Sequence, residues 1–154
     1  MTFTPIGFLA DVYSVGVPLR KPGMFVTMAC LQYDGAGGLE FSLAGHLPVL
    51  HYQAATGTVE ERSVAHVPIA MFEGSHYSSA PIPFAAGDLF VLLTDGLTEV
   101  FDKADRQLGL DPIKETIRLG ARLPLEELLD AIVATARAFA DQTDDQTMLL
   151  VRAS

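Results

Sequence analysis

The sequence has little cysteine and few positive charges. The single cysteine among 154 residues, Cys30, rules out an internal disulfide and a zinc site built from cysteines, and we expect it to be a buried thiol in a strand. Lys and Arg number 10 against 19 Asp and Glu, so the formal net charge is −9. The chain therefore lacks the basic surface that nucleic acids and anionic membranes require, and we expect neither as a partner.

Long apolar runs and a basic leader are also missing. No run approaches the roughly 20 residues of a membrane-spanning helix, and residues 1–5 lack the basic flank of a secretory signal. Both absences favour a cytoplasmic location. With 49% hydrophobic and 19% charged residues the chain can bury a core, and its length predicts a single domain, residues 1–154.

Apolar stretches separated by Gly-rich or Pro-containing turns predict a mainly antiparallel sheet. The predicted strands are residues 24–34, 39–44, 49–53, 58–64, 76–84, 89–94 and 147–151. The first two form a hairpin and the next two continue it as a meander. Two prolines place 76–84 at an edge, and the most apolar strand, 89–94, lies at the centre.

The period becomes helical after residue 110. Apolar residues from Leu125 to Phe139 recur at helical spacing behind Pro124, and a shorter helix begins with Asp111 as N-cap and Pro112 in its first turn. Strands, then helices, then one closing strand predict an α+β fold, an antiparallel β-sandwich with helices on one face.

Aspartates lie at the ends of three apolar stretches. Asp95 follows strand 89–94, Asp144 precedes strand 147–151, and Asp11 ends a strand-like stretch at residues 6–12. Each alone is most simply a turn residue that bonds its own backbone. Together they are the oxygen ligands that Mg²⁺ and Mn²⁺ prefer, and two such ions can activate a water for attack on phosphorus.

Four motifs in a fixed order point to one family. They are Phe25-Val26-Thr27, Ala44-Gly45-His46-x-Pro48, Gly87-Asp88-x-Phe90-x-x-x-Thr94-Asp95-Gly96-x-x-Glu99 and Asp144-Asp145-x-Thr147. Their order and spacing resemble the bacterial metal-dependent phosphatases related to sporulation stage II protein E and RsbU, within the PPM (protein phosphatase 2C) superfamily.

The resemblance implies a PPM-like fold and hydrolysis of phosphoserine or phosphothreonine through a metal-bound hydroxide. The implied substrate is a phosphorylated regulatory protein of the anti-anti-sigma type. Asp95 and Asp144 become ligands of one Mn²⁺ or Mg²⁺ ion, and Asp11 becomes the ligand that bridges two ions. Candidates beside these ligands are Gly96, Asp145 and the backbone carbonyl of Val12.

The sequence also departs from the family pattern. Family members carry an earlier Gly-Asp-x-x-Asp strand, and nothing before Asp11 supplies it. Residues 12–24 are too short for the helical hairpin of the family. We therefore expect a shortened member that lacks one helical layer, binds one ion with a second site in doubt, and forms a homodimer. The alternative hypothesis is a catalytically impaired phosphatase-like domain that binds a regulatory protein.

Overall fold

The computed structural model describes residues 4–19 and 23–154 and divides the chain into two compact units. The first unit comprises residues 1–48 and 63–83, and the second comprises residues 49–62 and 84–154. The helices are α1 (Pro5–Leu19), α2 (Asp111–Gly120) and α3 (Leu125–Phe139), and the strands are β1 (Met28–Tyr33), β2 (Leu39–Ala44), β3 (Val49–Gln53), β4 (Thr58–Arg62), β5 (Ala80–Pro81), β6 (Leu89–Leu93) and β7 (Met148–Arg152). The single domain predicted from length stays a prediction.

The first unit holds a three-stranded antiparallel sheet in the order β1-β2-β5. β1 and β2 form the predicted hairpin, because the side chain of Asp34 accepts hydrogen bonds from the amides of Ala36 and Gly38 and closes the turn. Cys30 on β1 is half-buried rather than buried, and burial raises the pKa of its thiol. The predicted strand 76–84 is reduced to β5, since its prolines cannot donate to the ladder.

Residues 6–12 belong to α1, so the strand predicted there is wrong. The side-chain oxygen of Thr4 accepts a hydrogen bond from the amide of Gly7 at 3.1 Å and caps the helix, and Pro5 suits the first turn. Leu9 is fully buried in a cluster with Ala44 and Ile69. α1 thus covers part of the first sheet.

The second unit holds a four-stranded antiparallel sheet in the order β4-β3-β6-β7. All five residues of β6 are buried, and β6 lies between two neighbours, which confirms the predicted central strand. α2 and α3 pack on each other and bury one apolar face each, as predicted. Asp111 is the first residue of α2 rather than its cap, and its carboxylate pairs instead with Lys114 at 2.7 Å.

The predicted meander is wrong, because β2 and β3 belong to different sheets. The chain leaves the first sheet at Gly45, whose positive φ of 59° is unfavourable for other residues. A β-carbon there would also collide with the ring of Pro68. No helix within residues 4–19 and 23–154 is long and apolar enough to cross a membrane.

Candidate metal centre

The pairing of β6 with β7 brings two acidic loops together. At the end of the ladder Leu93 pairs with Met148. The next residues continue the contact: the amide of Thr94 donates to the carbonyl oxygen of Thr147, and the amide of Thr147 donates to the side-chain oxygen of Thr94, both at 3.0 Å. The loops that follow β6 and precede β7 therefore leave the same end of two adjacent strands.

Asp95 begins the first loop, a single turn of 3₁₀ helix. Its side-chain Oδ1 accepts a hydrogen bond from the amide of Gly96 at 3.0 Å, and its backbone oxygen accepts from the amides of Thr98 and Glu99. The residue is exposed, and its other carboxylate oxygen has no hydrogen-bond partner in the part of the chain that the structure describes. That oxygen can face a cation.

Asp144 and Asp145 form the second loop, and both are exposed. Oδ1 of Asp144 accepts from the amide of Asp145 at 2.7 Å, and the backbone oxygen of Asp144 accepts from Nε2 of Gln142 at 2.7 Å. The Asp144 carboxylate is therefore fixed in the same way as that of Asp95, by the amide of the next residue.

Gly96 and Gln146 lock the two loops against each other. Nε2 of Gln146 donates to the carbonyl oxygen of Gly96 at 2.9 Å. A β-carbon on Gly96 would collide with the carbonyl oxygen of Asp145 and lie 2.9 Å from its carbonyl carbon. This close approach of backbones requires glycine.

Asp11 and Val12 lie in the first unit, on α1. Asp11 is exposed, and its backbone oxygen accepts a hydrogen bond from the hydroxyl of Ser14 at 2.8 Å. Val12 is half-buried against the Leu9 cluster. Among the described residues no group of three or more His, Cys, Asp or Glu side chains is placed to hold a metal ion. The structure thus joins the loops of Asp95 and Asp144 and forms no three-carboxylate centre within the described chain.

The paired loops fit one hard cation. Mg²⁺ is commonly held by one or two carboxylates and completes its shell with water, and the described loops offer only oxygen donors. Asp95 and Asp144 are exposed enough to leave room for such waters. The donor set therefore suits one ion better than two.

Sequence reasoning missed Gln146 as the link between the loops. It occupies the variable position of the Asp144-Asp145-x-Thr147 motif, and a glutamine has no special meaning there. The one sequence feature that could have pointed to Gln146 is its position directly after Asp144 and Asp145. Its partner, the carbonyl of Gly96, becomes evident only when the register of β6 and β7 is known.

Comparison with known proteins identifies the family. The family model described as Stage II sporulation protein E (SpoIIE) matches residues 4–154, so the chain belongs to the SpoIIE family. No match was found among curated proteins.

Solved structures with the same fold include several phosphatase domains. The SiaA-PP2C domain of Pseudomonas aeruginosa is 25% identical with a TM-score of 0.80, over 97% of this chain and 61% of that one. The RsbU and RsbW domains of Rv1364c from Mycobacterium tuberculosis are 22% identical with a TM-score of 0.81, over 98% of this chain and 42% of that one. The phosphatase domain of SpoIIE from Bacillus subtilis, presoaked with Mn, is 20% identical with a TM-score of 0.65, over 94% and 63%.

These matches confirm the predicted resemblance and the α+β fold class, here two antiparallel sheets with three helices. The chain has the fold of PP2C-type protein phosphatase domains. It spans between 42% and 63% of the three solved chains.

Proposed function

We propose that the chain is a metal-dependent phosphatase that hydrolyses phosphoserine or phosphothreonine on a regulatory protein of the anti-anti-sigma type. Asp95 and Asp144 hold one Mn²⁺ or Mg²⁺ ion, Asp11 is the third proposed ligand, and Gly96 and Asp145 shape the site around them. The observation that carries the proposal is the contact between the two acidic loops at one end of β6 and β7. Membership of a protein phosphatase family supports it.

The residues of the chain have distinct tasks in this proposal. Asp95 and Asp144 supply negative charge at one point, and each keeps its orientation through the amide of the next residue. Gln146 and Thr94 fix the distance between the loops. When bound, the ion would acidify a water and offset charge on the phosphoryl oxygens.

Phosphate release from a phosphoserine peptide tests the proposal. Turnover should require Mn²⁺ or Mg²⁺ and stop with EDTA. Mutating a residue that hydrogen-bonds a metal ligand typically reduces activity by roughly 10–100-fold. Asp95→Asn and Asp144→Asn change the proposed ligands themselves, so each should reduce the rate by at least that much. Asp130→Asn is the matched control, since Asp130 is exposed on α3 and should leave the rate unchanged.

Two results would contradict this assignment. One is turnover that persists in EDTA, because the proposed attacking water depends on the bound ion. The other is wild-type turnover in both Asp95→Asn and Asp144→Asn. An aryl phosphate should be hydrolysed slowly in the same Mn²⁺-dependent way, since a single ion provides only one clamp on the phosphoryl group.

A second candidate function is a phosphatase-like domain that binds a regulatory protein without hydrolysing it. The observation in its favour is that the described residues bring together the carboxylates of two loops and no group of three. It predicts inactivity at millimolar Mn²⁺ with retained binding of a phosphorylated protein. Binding without turnover would therefore select this function over the first.

A further inference from the structure

A surface cavity of about 620 Å³ lies beside the Asp144 loop, within the second unit. The lining residues that matter for its chemistry are Phe101, Lys103, Arg106, Arg137, Asp141 and Thr143. Thr143 directly precedes Asp144, and residues 101–106 follow the turn that begins at Asp95. This cavity, called here the 101–143 cavity, therefore adjoins the Asp144 loop of the candidate metal centre through Thr143.

Unpaired positive charge is concentrated at the 101–143 cavity. Arg106 forms an ion pair with Asp102 at 2.6 Å, whereas Lys103 and Arg137 have no ion-pair or hydrogen-bond partner within the described ranges. Of the other Lys and Arg side chains that the structure describes, only Arg122 also lacks an ion-pair or hydrogen-bond partner. The cations engaged elsewhere are Arg62 with Glu60, Lys114 with Glu61 and Asp111, Arg118 with Glu115, and Arg152 with two backbone carbonyls.

The loop that carries Lys103 is fixed in place. Oδ1 of Asp102 accepts hydrogen bonds from the amides of Ala104 at 2.9 Å and Arg106 at 3.0 Å, and Oδ2 accepts from Nε of Arg106 at 2.8 Å. The amide and side chain of Arg106 hold the pKa of the Asp102 carboxyl below its ordinary value. Asp102 therefore stays charged and keeps these hydrogen bonds in mildly acidic solution. A braced loop loses little conformational freedom when a partner binds.

The formal charge of the lining residues is opposite in sign to that of the whole chain. Asp141 is the unpaired carboxylate of the lining, and Arg137 also lies in the last turn of α3, where a cation offsets the negative end of the helix. The lining as a whole carries three cations, Lys103, Arg106 and Arg137, and two carboxylates, Asp102 and Asp141, so its formal charge is +1 in a chain of net charge −9. At physiological ionic strength charges beyond about 8 Å are largely screened, so a docked segment responds mainly to charges close to the cavity.

We propose that the 101–143 cavity docks an acidic segment of the phosphoprotein substrate. Carboxylates of that segment contact Lys103 and Arg137, while Phe101, which is 44% exposed, contacts its apolar atoms. The docked segment holds the phosphorylated residue near Asp95 and Asp144. This inference rests on the proposed function, because it names how the same site selects its substrate.

Fluorescence anisotropy with the full chain tests the docking in EDTA, so that the result does not depend on catalysis. The probes are two labelled phosphoserine peptides that differ only in flanking residues, glutamates in one and glutamines in the other. The glutamate peptide should bind more tightly. Lys103→Gln and Arg137→Gln should each raise its Kd about two- to fivefold, and the double variant about tenfold. Arg122→Gln, the matched control, should leave its Kd unchanged.

Three outcomes would overturn the docking proposal: equal affinity for the two peptides, an equal effect of Arg122→Gln, or an equally charged single-stranded oligonucleotide that binds as tightly with the same variant effects. Thermal unfolding of each variant shows that the fold is retained. Hydrolysis in the Mn²⁺ assay without a preference for glutamate overturns the docking and leaves the phosphatase proposal standing. A preference without hydrolysis supports the docking and removes the catalytic proposal.

Discussion

Gln146 donates a hydrogen bond from Nε2 to the carbonyl oxygen of Gly96 over 2.9 Å and ties the Asp144 loop to the turn that begins at Asp95. The two residues are far apart in sequence and meet only because β6 and β7 pair. A neutral amide therefore holds together two loops that each carry an exposed carboxylate.

Replacing Gln146 with alanine should loosen the candidate metal centre. The carbonyl of Gly96 loses its donor, which costs about 1 kcal/mol of folding free energy. Affinity for Mn²⁺ should fall by roughly 10-fold, the lower end of the range seen when a residue that supports a metal ligand is mutated. Calorimetric titration and thermal unfolding measure both. Gln107→Ala, at an exposed glutamine of the same unit, is the control, and an equal loss of affinity there would contradict the role of Gln146.

Gly96→Ala should damage the site more severely. Its β-carbon would collide with the carbonyl oxygen of Asp145, and relief requires a backbone shift at a cost of about 1–3 kcal/mol. The free energy of unfolding and Mn²⁺ affinity should both decrease. Gly16→Ala is the contrasting variant, because a β-carbon there meets nothing closer than 3.8 Å and alanine favours a helix. Unfolding free energies that fall equally in both variants would refute the close approach.

Metal titration should reveal one weak site for Mn²⁺ or Mg²⁺. The paired loops supply carboxylates for one ion, and the described chain forms no larger acidic group. Binding should disappear in Asp95→Asn and Asp144→Asn and persist in Asp130→Asn. Asp11→Asn tests the third proposed ligand: a weaker affinity supports it, and an unchanged titration removes Asp11 from the ligand set.

Asp88 should make stability depend on acidic pH. The residue is buried, and Oδ2 accepts from Nε2 of His51 at 2.9 Å. Burial raises the pKa of Asp88, but the amides of Ala54 and Ala85 together with His51 outweigh it and leave the pKa below its ordinary value. The resulting stability is present above the unfolded pKa of about 3.9 and is lost as the pH falls through the folded pKa.

Asp88→Asn should lower the free energy of unfolding at neutral pH by about 2 kcal/mol, because a charged acceptor of three donors is lost. As the pH falls below about 3.9, the difference from the wild type should shrink, since the wild type loses the same contribution. Denaturant unfolding at several pH values measures this. A difference that stays constant down to pH 3 would show that the pKa of Asp88 is the same in the folded and unfolded states.

Self-association is expected at two apolar surfaces, each described within its own unit. In the first unit Met24 and Phe25 are more than half exposed, at 55% and 53%. In the second, β7 ends the sheet and exposes Leu149 by 56% and Val151 by 40%. A strand edge with apolar side chains favours pairing with another copy.

Light scattering over a wide concentration range measures the association. Leu149→Gln should weaken the dimer, whereas Leu119→Gln, at an exposed leucine of α2, should not. A monodisperse species of 16.5 kDa at every concentration would contradict the prediction.

Most strands could be predicted because each is short, apolar and bounded by turn residues. β6 shows this most clearly, with five apolar residues between Asp88 and Thr94. α1 was missed although its signals were present: Thr4 and Pro5 are a typical helix start, and Leu9, Val12 and Tyr13 follow helical spacing. The apolar run that ends near Asp11 predicts a strand instead, because Asp95 and Asp144 also lie at the ends of apolar strands.

The carboxylates of the candidate site could be predicted from the sequence, but the hydrogen bonds that hold its two loops together could not. Asp95 and Asp144 flank apolar strands, so their approach follows if the strands are neighbours. The bonds of Thr94 and Gln146 depend on the register that pairs Leu93 with Met148. β6 is apolar and buried on both faces, so its sequence carries no alternation that would specify this register. The same holds for Lys103 and Arg137, which are separated in sequence and meet at one cavity only in the folded unit.

The pairing of β6 with β7 also determines at what point of chain synthesis the candidate site can form. Contacts inside α2 and α3 are local and form early, whereas the bond from Leu93 to Met148 closes a long loop and forms late. A nascent chain that has emerged only as far as α3 already carries Asp95 but lacks the second loop. The two loops of the candidate metal centre therefore cannot meet on the growing chain until β7 has been made, and a ribosome that stalls before Met148 leaves β6 unpaired on one side.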